Sequence, residues 1–122
     1  MTEKEFQNFI LEWLTAQGVC CWPVTTTAIF NKAKNCYMKP KNKHHIVGIS
    51  DILGFYNGKF FAIELKRPKF SKKINNYVER KDEELLKMAS PDQINFIEMV
   101  KRNGHVGFFA DSISRIKIGL DL

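Results

Sequence analysis

The chain has 122 residues, enough for one domain but not for two cores. Hydrophobic residues make up 44% and charged residues 26%, a composition typical of a globular fold that excludes disordered and fibrous classes. No apolar run approaches the roughly 20 residues of a membrane span, and the acidic N-terminus predicts no signal peptide. Three cysteines without disulfide or zinc spacing favour a reduced, cytoplasmic setting.

The charge of the chain, +6 overall, is concentrated in two segments. Residues 31–48 and 66–81 hold twelve of the 19 lysines and arginines but one of the 13 acids. Such sorting indicates a nucleic-acid binder, although two solvated loops in a basic protein would look the same. The candidate nucleic-acid contacts are Lys32, Lys34, Lys39, Lys41, Lys43, Arg67, Lys69, Lys72 and Lys73.

The first third of the chain predicts a helix, a strand and a loop. Residues 3–17 are predicted to be helical, because apolar side chains recur at helical spacing and Gly18 follows as a stop. Residues 19–27 are rich in β-branched and aromatic side chains and predict a strand, in which Pro23 indicates an edge or a kink. Residues 28–47 are polar and basic and predict a loop.

The centre of the chain predicts a β-hairpin. Residues 49–56 and 59–66 have the composition of strands. Asn57-Gly58 between them is a strong signal for a two-residue turn, because both positions tolerate positive φ. Residues 69–89 are charged and mixed, and predict a loop with a short helix around 78–88.

The last third predicts a helix, a strand and a helix. The capping-box signature Ser90-Pro91-Asp92-Gln93 predicts the start of the helix, and Gly104 predicts its end. Residues 105–110 predict a strand, after which Asp111 or Ser112 is expected to cap a short final helix. The predicted order of elements is therefore α-β-β-β-α-β-α.

The predicted hairpin brings charged side chains together. If Asn57-Gly58 forms the turn, Tyr56 pairs with Lys59, and Asp51 then lies opposite Glu64. Side chains directly opposite each other have Cβ atoms roughly 5 Å apart on one face of the sheet. Lys66 is two residues beyond Glu64 and shares that face. The neighbouring positions on both faces are apolar, so these charges are predicted to be buried.

Two adjacent carboxylates form a hard, oxygen-rich site suited to Mg²⁺ or Mn²⁺. Without a cation they would repel each other. A lysine beside the metal can orient an attacking water and adds positive charge where a phosphorane would develop. The alternative is a structural ion pair of Lys66 with Glu64 or Asp51, and the spacing of these residues alone favours it. The strand pairing and the two basic segments shift the balance towards a catalytic site.

Four motifs in register resemble the virus-type replication–repair nuclease (VRR-NUC) domain of the PD-(D/E)xK nuclease superfamily. The motifs are Glu3-Lys4-Glu5-Phe6-Gln7, Gly48-Ile49-Ser50-Asp51-Ile52-Leu53-Gly54, Ala62-Ile63-Glu64-Leu65-Lys66-Arg67-Pro68 and Ser90-Pro91-Asp92-Gln93. The resemblance covers nearly the whole chain and implies one nuclease domain over 1–122. It implies an α/β, restriction-endonuclease-like fold, in which a mixed β-sheet with an αβββαβ core is flanked by helices.

The resemblance also implies roles for individual residues. Asp51 and Glu64 would ligate the divalent metal together with the backbone carbonyl of Leu65. Lys66 would be the catalytic lysine, and Gln93 would lie near the scissile phosphate. Residues 69–89 are longer than the link usual in the family, and imply an extra DNA-contacting or dimer element.

Glu3 matches the carboxylate of the first helix in the family. A helical wheel places Glu3 close to the Phe6/Ile10/Trp13 face, whereas Glu5 points away from it. The alternative is that Glu3 only complements the positive end of the helix.

The function implied is metal-dependent DNA endonuclease activity, with in-line attack of a metal-activated water on a phosphodiester. Backbone contacts carry little sequence information, which favours structure-selective cutting. The resemblance implies branched or Holliday-junction DNA, a homodimer, and a place in phage or bacterial replication, recombination or repair. The alternatives are a non-catalytic DNA-binding subunit and an RNA-directed nuclease.

Overall fold

The computed structural model describes residues 1–24, 29–31, 33–38 and 46–122, with the backbone alone for 29–31 and 36–38. These residues form four helices and eight strands. The helices are α1 (Glu3–Ala16), α2 (Asp82–Met88), α3 (Pro91–Arg102) and α4 (Ile113–Leu120). The strands are β1 (Cys20–Pro23), β2 (Ile29–Asn31), β3 (Cys36–Met38), β4 (Ile52–Tyr56), β5 (Lys59–Leu65), β6 (Lys69–Ser71), β7 (Asn76–Val78) and β8 (Val106–Ala110). Their order along the chain is α1, β1 to β7, α2, α3, β8, α4.

Four strands form a mixed sheet in the order β1-β4-β5-β8. The pairs β1–β4 and β4–β5 are antiparallel, and β8 runs parallel to β5. Asn57 and Gly58 have φ of 52° and 78°, as a two-residue turn between β4 and β5 requires. Tyr56 pairs with Lys59, so the predicted hairpin register is confirmed.

Helices cover both faces of this sheet, as predicted. One face carries Ile52, Ile63 and Leu65, and buries them against α1 and α4. The other face carries Leu53 and Ala62, and buries them against α3. Because side chains alternate along a strand, Glu64 and Lys66 lie on the α3 side, between buried neighbours that point the other way.

The ends of the helices follow the predicted caps. Ser90 accepts a hydrogen bond from the Gln93 amide, and the Gln93 side chain accepts one from the Ser90 amide, which completes the capping box of α3. At α4, Ser112 rather than Asp111 is the cap, because its hydroxyl accepts from the Arg115 amide. Among the described residues, no helix is both long and apolar enough to cross a bilayer.

Several predicted boundaries are wrong. The first strand spans Cys20–Pro23, so Val19 and Val24 lie outside it, and residues 25–27 of the prediction lie outside the described part of the chain. The second strand begins at Ile52 and not at 49. The predicted loop 28–47 contains a β2–β3 hairpin in its described part, with Asn35 at φ 49° in the turn.

The prediction for residues 69–89 is also incomplete. The helix expected around 78–88 is shorter and begins at Asp82. Before it, β6 and β7 form a second hairpin that was predicted as a loop. Its strands are three residues each, too short for a clear alternation of polar and apolar side chains.

Candidate active site

Asp51 directly precedes β4 and is held in place through both its backbone and its side chain. Its carbonyl oxygen accepts hydrogen bonds from the Val24 amide and from Gln7 Nε2, each at 2.9 Å. Its Oδ2 accepts from the Leu65 amide at 2.8 Å. The carboxylate is therefore turned across the hairpin towards the end of β5, as the predicted register requires.

Glu64 is 2% exposed and lies near the end of β5, beside Asp51. Burial and the neighbouring Asp51 carboxylate raise the pKa of Glu64 from 4.5 to about 9, although the charge of Lys66 acts against the shift. The charge of Glu3 contributes to the same shift. A proton on Glu64 or a bound cation would relieve the repulsion between the two carboxylates.

Lys66 and Gln93 complete the site from β5 and α3. Lys66 is 8% exposed, and its Nζ lies 3.8 Å from Glu64 Oε1. Gln93 donates from Nε2 to the same Glu64 oxygen at 2.8 Å, while its Oε1 accepts from Lys66 Nζ at 3.1 Å. The convergence predicted for Asp51, Glu64 and Lys66 is present, and the side-chain amide of Gln93 bridges Glu64 and Lys66.

Glu3 approaches the same charges from the first turn of α1. Burial and the charge of Asp51 raise the pKa of the Glu3 carboxyl, whereas Lys66 lowers it. Gln7 lies one helical turn further on and bonds to the Asp51 carbonyl, so this face of α1 is directed at the site.

Two contacts that position the site were not predicted. One is the hydrogen bond of Gln7, which the sequence motif included without a role. The other is the close approach of Gly48 to the start of α3. Gly48 has φ of 77°, and no larger residue would fit at its position. A Cβ added there would lie 2.4 Å from the Asp92 carbonyl group and 2.7 Å from the Gln93 amide nitrogen. The loop before Asp51 therefore packs directly on the start of α3.

The carboxylate pair fits a divalent cation. Glu64 Oε2 is buried and has no hydrogen-bond partner, and it faces a second carboxylate. An oxygen that is buried and unpaired is costly unless a cation or proton neutralises it. All the available donors are hard oxygens, which suits Mg²⁺ or Mn²⁺. In the described part of the chain, no group of three or more His, Cys, Asp or Glu side chains is arranged around one ion.

Leu65 can contribute only through its backbone, because its side chain is fully buried on the opposite face of the sheet. Its amide already positions Asp51. The carbonyl role assigned to Leu65 stays a prediction.

Some of the candidate nucleic-acid contacts lie in the described part of the chain, and the others do not. Arg67, Lys69, Lys72 and Lys73 are exposed on and before the β6–β7 hairpin, and Lys34 is exposed in the β2–β3 turn. Lys32, Lys39, Lys41 and Lys43 lie outside the described residues. The exposed basic residues of this hairpin segment begin directly after Lys66.

No protein-family model matches the sequence, and a search of curated proteins found no match. The resemblance to VRR-NUC domains consequently rests on the four sequence motifs.

Proposed function

We propose that the protein is a metal-dependent nuclease of the PD-(D/E)xK superfamily, with a VRR-NUC-like domain. The observation that carries the proposal is the buried Glu64 carboxyl beside the half-buried Asp51, bracketed by Lys66 and Gln93. A charged pair of this kind is unfavourable in a sheet unless it has a use. The sheet order and the α1 and α3 packing support a restriction-endonuclease-like fold.

Each side chain has a definable role in phosphodiester hydrolysis. Asp51 and Glu64 would hold a divalent cation, which, when bound, supplies Lewis acidity at the phosphate and lowers the pKa of water. Lys66 holds a positive charge and a proton donor beside the carboxylates, where it orients water and offsets charge on the phosphate. Gln93 fixes the Lys66 ammonium and leaves Glu64 Oε2 uncommitted.

The proposed substrate is DNA with a branch or junction. The exposed lysines next to the site suit phosphates, which position a duplex without reading its sequence. A homodimer that cuts two strands, and a role in replication, recombination or repair, follow from the resemblance and belong to the proposal.

The experiment is a cleavage assay with labelled four-way junction, flap, duplex and single-stranded DNA, and with RNA of the same sequence. Each substrate is incubated with Mg²⁺, Mn²⁺ or EDTA. Wild type is compared with Lys66→Ala and with Lys59→Ala. Lys59 is a matched control, because it is exposed at the other end of β5, where its Nζ bonds to the Gly104 carbonyl.

We expect cutting that requires the metal, survives Lys59→Ala and falls at least 100-fold in Lys66→Ala. Binding of DNA by wild type without cutting, under every metal, would instead indicate the non-catalytic subunit. Preferential cutting of RNA would keep the nuclease but overturn its substrate.

A further inference from the structure

The β6–β7 hairpin carries an exposed aromatic pair. Phe70 and Tyr77 are cross-strand partners, their ring centroids are 5.4 Å apart in an edge-to-face arrangement, and each residue is 49% exposed. Ile74 in the turn is 61% exposed. Lys69 alternates with Phe70 and is directed towards Glu84 of α2, at 3.8 Å, so the aromatic pair lies on the opposite face of the ribbon.

The base of the hairpin is fixed to the sheet by a buried ion pair. Asp111 follows β8, and its fully buried Oδ2 accepts from the Arg80 amide at 3.0 Å and from Arg80 Nη1 at 3.3 Å. Arg80 Nη1 also donates to the Arg67 carbonyl at 2.7 Å, which ties the two ends of the hairpin segment together. Arg115 lies on the other side of Asp111, with its Nε 3.2 Å from Oδ1, and also binds the Arg80 carbonyl.

This anchoring places the hairpin within reach of a substrate at the active site. Phe70 follows Lys66 by four residues, so their Cα atoms are at most about 14 Å apart. That distance is about four base-pair steps of a duplex at 3.4 Å each. A two-stranded ribbon is marginal on its own, so the ion pair at its base is what holds the aromatic pair in this position.

We propose that Phe70 and Tyr77 form a base-stacking platform for unpaired nucleotides next to the cut site, with Lys72 and Lys73 holding the adjacent phosphates. The proposal rests on the proposed function and specifies its substrate as DNA with a single-stranded arm or a splayed branch. Aromatic rings stack on any base, while paired bases inside a duplex do not offer their faces.

Charge favours nucleic acid over a second copy of the chain as the occupant. Residues 67–78 hold four lysines and arginines, all exposed, and no acid. The whole protein carries +6, so another copy would meet this surface with like charge. A polyanion with exposed ring faces matches both the lysines and the aromatic pair.

The test measures DNA binding by fluorescence anisotropy, without cutting, in EDTA. The probes are a blunt duplex, the same duplex with a single-stranded arm, and the arm alone. The variants are Phe70→Ala/Tyr77→Ala and Phe70→Leu/Tyr77→Leu, of which the second keeps apolar cross-strand contact but removes the rings. Phe9→Ala is the control, because Phe9 is a similarly exposed aromatic residue on α1.

We expect both double variants to lose affinity for the armed duplex and the arm by about tenfold or more, with less than a twofold change for the blunt duplex. A 2-aminopurine base in the arm should be quenched by wild type and not by the variants. Lys72→Ala/Lys73→Ala should instead weaken binding to all three probes. For the duplex, the slope of log K against the logarithm of the salt concentration should become shallower by about 1.8.

Four outcomes would overturn the platform. Equal losses on blunt and armed probes would mean that the rings only support the hairpin, as would a loss in the alanine variant that the leucine variant does not share. Unchanged binding in both double variants would remove the platform while leaving any metal-dependent cutting intact, so the proposed function would stand. Sedimentation that shows a wild-type dimer and monomeric variants would make the aromatic pair a contact between copies.

Discussion

At the scale of single residues, the distinctive feature is that the buried Glu64 carboxyl depends on the neighbouring side chains for its stability. Its carboxyl is buried, faces Asp51 and has one oxygen without a partner. Lys66 and Gln93 satisfy the other oxygen. The arrangement stores unfavourable electrostatics in the metal-free protein, which is common where a site is built for a ligand.

This electrostatic cost predicts how stability depends on pH in EDTA. The pKa of Glu64 is about 9 in the folded protein, against 4.5 when unfolded, so the folded state binds the proton more tightly. Stability from this group is complete below pH 4.5 and is lost as pH rises towards 9. We expect wild type to lose more stability than Glu64→Gln between pH 5 and 9, as measured by urea unfolding. Parallel curves for the two proteins would contradict the coupling.

The bridging role of Gln93 predicts a loss of rate. Gln93→Leu keeps the size of the side chain but leaves Glu64 Oε1 and Lys66 Nζ without their amide partner. We expect single-turnover cleavage to fall about 10- to 100-fold with little change in DNA affinity, and stability to fall by about 1–3 kcal/mol.

Ser90→Ala is the control for Gln93→Leu, because it removes the side-chain cap of α3 but leaves the side-chain amide of Gln93 in place. It should lower the free energy of unfolding by about 1 kcal/mol. Its cleavage rate should match that of wild type. An equal drop in rate for both variants would mean that the start of α3, and not the side-chain amide of Gln93, controls the cleavage rate.

At the scale of elements, the site is assembled by a loop that packs on a helix end. Gly48 lets the loop before β4 approach the backbone of Asp92, and this contact sets Asp51 and Gln93 relative to each other. On the other side, Gln7 of α1 holds the Asp51 carbonyl. The contacts of Gly48 with α3 and of Asp51 with α1 thus fix the loop before β4 from two sides.

Gly48→Ala should therefore lower the free energy of unfolding by more than the cost of placing an alanine in a left-handed backbone conformation. Gly18→Ala is a matched control, because Gly18 has φ 80° and open space where its Cβ would lie. We expect Gly18→Ala to cost about 1–2 kcal/mol, and Gly48→Ala about 1–3 kcal/mol more from the clash with Asp92. Thermal unfolding measures both. Equal costs would show that the loop adapts without strain.

At the scale of the whole molecule, the sheet hairpin could be predicted because its signal is local. Asn57-Gly58 specifies the turn, the turn specifies the register, and the register brings Asp51, Glu64 and Lys66 to one face. The capping box likewise predicted the start of α3 from four adjacent residues.

The contacts that could not be predicted join residues far apart in sequence. Gly48 meets Asp92 across 44 positions, and Arg80 meets Asp111 across 31. Neither contact has a periodicity or a turn signature, so no local pattern reports it. The β6–β7 hairpin was missed because its strands are short and its lysines match the composition of a solvated loop.

The most direct test of the central claim is the cleavage rate of branched DNA by wild type and Asp51→Asn, first in EDTA and then after Mg²⁺ is added. We predict no cutting in EDTA, cutting by wild type once Mg²⁺ is added, and a rate at least 100-fold lower for Asp51→Asn. The variant should melt no lower than metal-free wild type, because Asn can still accept from the Leu65 amide and no longer repels Glu64. Cutting by Asp51→Asn at the wild-type rate, or by wild type in EDTA, would contradict a metal-dependent nuclease site at this pair.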